Sequence, residues 1–259
     1  MENYKRKIIN SFSIKSSTYD KYSIVQKEVT KRLLERIKLL KIKPSNVLDI
    51  GSGTGHLMQK MFSNFSDSNL VCLDISKEML KVSKEKNTKF NLICGDAEEL
   101  PLKEESFDLI MTSFTLQWCN DLKKIFSDIK KLLTKNGVFI FSTVGPDTLF
   151  ELRESFERID NFQHINNFKD MHLYGDLLIS LDYVDPVLDV ERIVIQYESF
   201  TELLKSLKCT GSNIVLSKKD NTLSQSEIIN LEKEYTKFKK DNFYPATYEV
   251  IYGIAWKKI

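Results

Sequence analysis

The chain has 259 residues, with 38 lysines and arginines against 36 aspartates and glutamates, for a formal net charge of +2. That near balance excludes a dedicated nucleic-acid binder, which needs a basic surplus to displace counterions. With 42% hydrophobic and 29% charged residues, the composition is that of a globular chain with a sizeable core, not a disordered or fibrous one.

From about Tyr22 to Leu40, Val25, Val29, Leu33, Leu34, Ile37 and Leu40 recur at helical spacing opposite a charged face, which predicts an amphipathic helix ended by Pro44 and Ser45. The pattern then changes to short apolar runs alternating with helical ones: NVLDI, a glycine turn, a helix, NLVCLDI, a helix, FNLICGD. Continuous apolar runs of this kind are strands of a parallel sheet covered on both faces. Phe107 to Phe114 is a fourth strand, a helix carries Leu122, Ile125, Phe126, Ile129 and Leu132 until Asn136-Gly137 breaks it, and Val138 to Val144 is a fifth strand closed by Gly145-Pro146. Thr148 and Glu151 have capping-box spacing ahead of a helix with Leu149, Leu152, Phe156 and Ile159 on one stripe. Val187 to Tyr197 alternates like a strand, Ser199 with Glu202 and Ser224 with Glu227 cap two further helices, and Thr247 to Trp256 reads as a terminal strand. With no repeat and no Gly/Ser-rich linker, one domain with helical decorations is expected over residues 1–259.

The four cysteines, Cys72, Cys94, Cys119 and Cys209, form no CxxC pair and read as buried free thiols. His56, His164 and His172 have no metal-ligand spacing, so no structural metal is expected. No apolar run reaches the roughly 20 residues that cross a bilayer, and Met1 to Ser11 has no apolar signal region. A cytoplasmic protein without membrane attachment is the expectation.

After the first strand comes Asp49-Ile50-Gly51-Ser52-Gly53-Thr54-Gly55, leading at once into a helix. Glycines let this backbone take positive φ and approach a ligand, while the helix start offers N–H groups. Asp74 ends the second strand, where a carboxylate can accept from a ribose diol, and Asp96 follows the third. The three acids at successive strand ends share the carboxyl edge of one sheet, the ligand-binding edge of open α/β folds. The register is GxGxG, with His56 where a dinucleotide fold would place its last glycine, and no Lys or Arg opens the helix. Asp49 would repel a pyrophosphate but tolerate a sulfonium or an ammonium. A cationic adenosyl ligand fits better than NAD.

These motifs resemble those of the class I S-adenosylmethionine-dependent methyltransferases: VLDIGSGTG is the first, LDIS the second and GDAEELP the third. Within that class the chain is similar to the malonyl-[acyl-carrier protein] O-methyltransferases of biotin synthesis, the BioC family. The resemblance runs through Phe12 to Tyr19, TLQWCNDL, FSTVGPDTLFELRESFERID, HINNF, LLKSLKCTGSN and YPATYEVIYGIAW. It departs at Ser212, where the family usually has Ala, and at Asn136-Gly137, where Pro-Gly or Lys-Gly is usual. The resemblance implies a Rossmann-like, mostly parallel seven-stranded sheet with helices on both faces: a helical cap over residues 1–45, a cofactor core over 46–145, and substrate-side helices and terminal strands over 146–259. It implies methylation of the free carboxylate of malonyl-acyl-carrier protein or malonyl-coenzyme A by S-adenosylmethionine, leaving S-adenosylhomocysteine. A monomer without a metal is expected. The cofactor contacts implied are Tyr19, Asp49, Gly51, Ser52, Gly53, Gly55, Asp74, Ile75, Met79, Asp96, Ala97, Ser113 and Phe114.

A carboxylate of unperturbed pKa about 4 is already ionised at neutral pH, so no catalytic acid or base is expected. Positioning and water exclusion would carry the reaction, with Tyr19, Gln117 and Trp118 as positioning candidates and Phe114 either pocket wall or core. Gln117, Trp118, Arg153, His164, Asn166 and Lys208 are candidate substrate contacts; Trp118 could instead anchor a lid, Arg153 and Lys208 could be solvated, and His164 and Asn166 could steady a loop. An acidic carrier would favour a basic patch, from Lys205, Lys208, Lys218 and Lys219 or from Lys237, Lys239 and Lys240, although such runs also serve as solvated helix faces. The alternatives are a methyltransferase of the same fold acting on another small acceptor, or a relative that binds the cofactor but serves as a hydroxylase or assembly factor.

Overall fold

The computed structural model describes residues 2–211 and 223–258; Ser212, Asn213, Lys218 and Lys219 lie outside them. Helices α1 (Glu2–Lys15), α2 (Tyr19–Tyr22) and α3 (Ile24–Leu39) precede β1 (Asn46–Ile50). The alternating unit then runs α4 (His56–Asn64), β2 (Asn69–Asp74), α5 (Lys77–Lys86), β3 (Asn91–Cys94), β4 (Phe107–Ser113), α6 (Leu122–Leu132) and β5 (Leu133–Val144). Helices α7 (Phe150–Phe156) and α8 (Met171–Ser180), strand β6 (Tyr183–Tyr197), helices α9 (Phe200–Cys209) and α10 (Gln225–Tyr235), and strand β7 (Tyr244–Lys257) complete the described chain.

The seven strands form one sheet in the order β3-β2-β1-β4-β5-β7-β6. Neighbours among β1 to β5 pair in parallel, and β7 runs antiparallel between β5 and β6. Side chains alternate between the two faces. Val47, Leu109 and Ile140 pack with α3 and α4, whereas Leu48, Ile110 and Phe139 pack with α6 and α8. Burial on both faces is why these strands read as continuous apolar runs. The strand order reverses between β1 and β4, and the crevice above that reversal is where such sheets hold ligands.

Several sequence expectations require correction. Asn136-Gly137 does not break the α6 helix, which ends at Leu132. Strand β5 begins at Leu133, and its register with β4 shifts between Phe107 and Leu109, so Asn136 (φ 62°) and Gly137 form a bulge inside the strand. Thr148 and Glu151 make no capping box. Leu149 at φ 55° starts α7 without a side-chain cap, Thr148 Oγ1 donates to the Glu249 carbonyl at 3.1 Å, and the buried Glu151 carboxylate accepts from the backbone and hydroxyl of Thr247. Tertiary partners on β7 outcompete the local cap. Ser199 and Ser224 do cap α9 and α10. Of the cysteines, Cys72 is buried, but Cys94 is exposed because β3 is an edge strand, and Cys119 and Cys209 are half-buried; all four are free thiols.

Helix α1 carries no apolar stripe that periodicity could show, because Ile8 is its one buried apolar residue among the described side chains. Tertiary contacts hold it: Lys5 pairs with Asp96 at 2.5 Å and Glu98 at 2.8 Å, and Ser13 donates to Glu78 at 2.8 Å. Among the described residues, no helix is long and apolar enough to cross a membrane.

At the β5–β7 seam Gly253 pairs with Phe141, and a Cβ built on it would come to 2.2 Å from the Phe141 ring. Gly253→Ala is expected to lower the urea midpoint by overpacking, at a cost of about 1–3 kcal/mol. An unchanged midpoint would show that the ring shifts freely, against this account of the seam.

Candidate active site

A cavity of about 1070 Å³ opens at the carboxyl edge of the sheet and is lined by α1, the strand ends, α7 and α9. The turn after β1 forms its rim. Gly51 N–H and Ser52 N–H donate to the Leu73 carbonyl at 2.7 and 3.0 Å, tying the turn to β2. Gly53 N–H donates to Asp74 Oδ2 at 2.8 Å, and Ser76 N–H donates to Oδ1 at 2.8 Å. Two backbone donors therefore orient the Asp74 carboxylate and leave lone pairs for a further donor. Gly51, Gly53 and Gly55 all hold positive φ in this turn. At Gly51 (φ 74°) a Cβ would fall 2.0 Å from Thr115 Oγ1, and at Gly53 (φ 54°) it would project into open space where a ligand must approach the backbone.

The acids differ in environment. Burial raises the Asp74 pKa to about 6, although the Gly53 and Ser76 N–H groups pull against the rise. Burial and then the charge of Asp74 push Asp49 up to about 8. Asp96 sits half-buried, its Oδ1 accepting from Glu98 N–H at 2.9 Å and its Oδ2 from Lys5.

Most of the expected contacts face this cavity: Tyr19, Gly51, Gly53, Asp74, Ile75, Met79, Asp96, Ala97, Ser113, Phe114, Gln117, Trp118, His164, Asn166 and Lys208. Asp49, Ser52, Gly55 and Arg153 do not line it. Asp49 precedes the last residue of β1 and is 1% exposed, beneath the turn. Ser52 is buried, and Gly55 packs against α5, where a Cβ would lie 2.3 Å from Ser83 Oγ. These three shape the turn from behind. Arg153 instead donates to the Pro146 and Thr148 carbonyls at 2.8 and 3.2 Å, where the left-handed entry of α7 leaves them without helical donors. Its guanidinium braces a helix entry.

Gln117 has its amide engaged within the protein: Nε2 donates to the Phe114 carbonyl at 2.8 Å, and Oε1 accepts from Thr143 Oγ1 at 3.3 Å. Phe114 itself holds φ 53°, a strained conformation that turns its ring out of the strand and towards the cavity. His164 bridges to Asp160 at 2.9 and 3.0 Å and stacks on Phe156 with ring centroids 3.8 Å apart, so its polar edge steadies the loop while its ring lines the wall. Phe12 of α1 meets Tyr19 at 6.3 Å and Trp118 at 5.8 Å in edge contacts, closing an aromatic arc over the rim. Thr54 Oγ1 and Lys86 hold Asp20 and with it the short helix that carries Tyr19.

Sequence reasoning missed Gln26 and Tyr248. Both line the cavity, and Gln26 Oε1 is buried without a hydrogen-bond partner. Gln26 follows Val25 in an amphipathic stretch, so its facing became legible only once α3 was docked. Among the described residues, no group of three or more His, Cys, Asp and Glu is placed to hold a metal.

The residues suit an adenosyl sulfonium. Oriented acids offer acceptors to hydroxyl and amino groups, the glycine turn leaves space at Gly53, and Lys5, which also lines the cavity, is paired with Asp96 and Glu98. The family described as "Methyltransferase domain" matches residues 48–141. Among solved structures, a SAM-dependent methyltransferase from Thermotoga maritima superposes with TM-score 0.59 at 17% identity, covering 97% of this chain and 100% of that one. One from Archaeoglobus fulgidus gives 0.53 at 21% identity, covering 90% and 94%. Fold and site together define a Rossmann-like S-adenosylmethionine-dependent methyltransferase.

Curated relatives narrow this further. The malonyl-[acyl-carrier protein] O-methyltransferase of Gallionella capsiferriformans is 35% identical over 98% of this chain and 91% of its own length, and that of Methylovorus sp. is 36% identical over 98% and 89%. The chain belongs to the malonyl-[acyl-carrier protein] O-methyltransferase family.

Burial raises the Asp74 pKa, so if a ribose diol donates to its ionised form, cofactor affinity should weaken as the carboxylate takes up a proton. The affinity for S-adenosylhomocysteine is expected to fall about tenfold per pH unit below about 6 and to level off above it. Calorimetric titration across that range measures this, and a flat affinity would show that Asp74 does not receive the ligand.

Proposed function

We propose that this enzyme methylates the free carboxylate of a malonyl thioester carried by acyl-carrier protein, giving the methyl ester that enters biotin synthesis. The supporting observation is the joining of an acid-rimmed glycine turn to a large apolar chamber in one cavity, in a chain whose relatives over nearly full length are named for this substrate. The whole chain acts as one unit, residues 1–45 capping the site, 46–145 holding the cofactor and 146–259 enclosing the substrate.

S-adenosylmethionine supplies an electrophilic methyl group on a sulfonium. Asp74 receives the ribose hydroxyls, Asp96 the adenine amine, and Ile75, Met79 and Ala97 give apolar surface to the base. The glycine turn lets the backbone approach the amino-acid end, and Asp49 lies beneath it without direct contact. Tyr19, Phe114 and Trp118 form the wall beside the sulfonium, where ring faces attract a cation by roughly 0.5–2 kcal/mol each. Gln117 acts through Phe114, whose carbonyl it holds, and is a positioning residue.

The acceptor needs no base. One carboxylate oxygen forms the new C–O bond while the S–CH₃ bond breaks towards sulfur, and an anion and a cation become two neutral products with no proton transferred. Charge neutralisation of this kind is favoured where water is excluded. Leu149, Leu152, Phe156 and Ile165, all buried and facing the cavity, provide that exclusion. His164 and Asn166 shape the wall around the acceptor.

Incubation with methyl-labelled S-adenosylmethionine tests this reading: label is expected in malonyl-acyl-carrier protein, base-labile as a methyl ester. Asp74→Ala should lose most of the activity while the chain remains folded by circular dichroism. Label confined to an unrelated acceptor, or full activity in Asp74→Ala, would overturn it.

A further inference from the structure

The short helix α2 is held without help from the core. It has 4 residues, none of them buried, and its N-cap Thr18 offers no side-chain bond. Yet it carries Tyr19, which lines the cavity and whose hydroxyl pKa is raised by burial and then by the charges of Asp74 and Asp20. A helical turn of this length has no stable position of its own in water. Polar contacts supply one. Asp20 Oδ1 accepts from Thr54 Oγ1 at 2.6 Å, and Asp20 Oδ2 meets Lys86 Nζ at 2.5 Å. Lys86 Nζ also donates to the Thr54 carbonyl at 2.9 Å, which closes a ring of contacts between α2, the glycine turn and the last turn of α5. A partly exposed ion pair alone adds little stability; the effect of this ring is geometric, since its bonds leave α2 one seat on the turn. The turn itself does not depend on the ring, because Gly51 and Ser52 N–H are held by the Leu73 carbonyl and Gly53 N–H by Asp74. Removing Asp20 therefore frees α2 and leaves the rim standing.

We propose that Asp20, through Thr54 and Lys86, is the positioning residue that sets the Tyr19 ring against the sulfonium. This rests on the reading in which Tyr19 walls the sulfonium, and it adds the group that keeps the ring there. Asp20 does not line the cavity and acts only through α2. The two states of the cofactor separate this role from a merely structural one. S-adenosylmethionine carries a positive sulfur and S-adenosylhomocysteine a neutral one, and a ring face attracts the cation. Misplacing Tyr19 therefore acts on S-adenosylmethionine and on the transfer step while sparing S-adenosylhomocysteine. Loosening the fold would act on both ligands alike.

The test measures both ligands by calorimetric titration, and kcat with malonyl-acyl-carrier protein. Asp20→Ala is expected to weaken S-adenosylmethionine about threefold to tenfold, the range of one cation–π contact. It should lower kcat about tenfold or more and leave the S-adenosylhomocysteine affinity unchanged. The double variant Thr54→Val, Lys86→Met, which removes both partners, should reproduce these changes, and adding Asp20→Ala to it should take nothing further. In a Tyr19→Leu background, Asp20→Ala should alter neither quantity. Equal weakening of both ligands, weakening of neither, or an Asp20→Ala effect that persists in full beside Tyr19→Leu would overturn the proposal while leaving the function intact. Should Tyr19→Leu itself bind S-adenosylmethionine and turn over as the wild type does, the aromatic wall fails, and the role of Asp20 with it. The titrations need no acceptor, so a failure of the malonyl reading would leave them as a test.

Discussion

The Asp74 carboxylate, held by Gly53 N–H on one oxygen and Ser76 N–H on the other, is the contact on which the site depends. It joins the glycine turn of β1 to the end of β2, while the Leu73 carbonyl, one residue earlier, receives Gly51 and Ser52 N–H. Three loop amides that would otherwise lack partners are thereby satisfied by one strand end. The backbone at the switch point of the sheet stays open at Gly53, towards the cavity. A buried carboxylate placed against backbone N–H groups remains a strong acceptor without a cationic partner, and that suits a ligand that is itself a cation.

Around this fixed rim, the rest of the cavity is assembled from elements distant in sequence. Helix α1 crosses the rim beside Asp96 and is bound there by polar contacts, Lys5 to Asp96 and Glu98 and Ser13 to Ser76 and Glu78. Such contacts are individually weak at a surface, so α1 is held by their number and by Ile8 and Phe12 more than by any one of them. Facing it, α7, the loop through Ile165 and α9 supply apolar surface; α7 is anchored to β7 through Glu151 and Thr148, and Arg153 braces its entry. The division is physical: acids and glycines on the sheet rim, apolar side chains on the helices above it.

Much of this was legible in the chain. The first five strands could be read because a doubly covered sheet imposes continuous apolar runs, and the glycine turn with Asp74 and Asp96 because each motif is local to one strand end. Failures came where a local pattern met a stronger distant partner. Thr148 and Glu151 look like a cap but answer to β7. Arg153 looks like an anion ligand, yet its guanidinium donates to the Pro146 and Thr148 carbonyls. Cys94 sits in an apolar run, yet it is exposed because its strand ends the sheet.

By itself, the sequence determined the α/β alternation, the ligand-binding turn and the kind of ligand that turn admits, since these depend on residues within a few positions of one another. Only the tertiary structure decided which side chains share the cavity. The placement of α1 against Asp96 and Glu98 and the inward amide of Gln26 join parts of the chain far apart in sequence, and no local periodicity records a contact whose partner lies on another element.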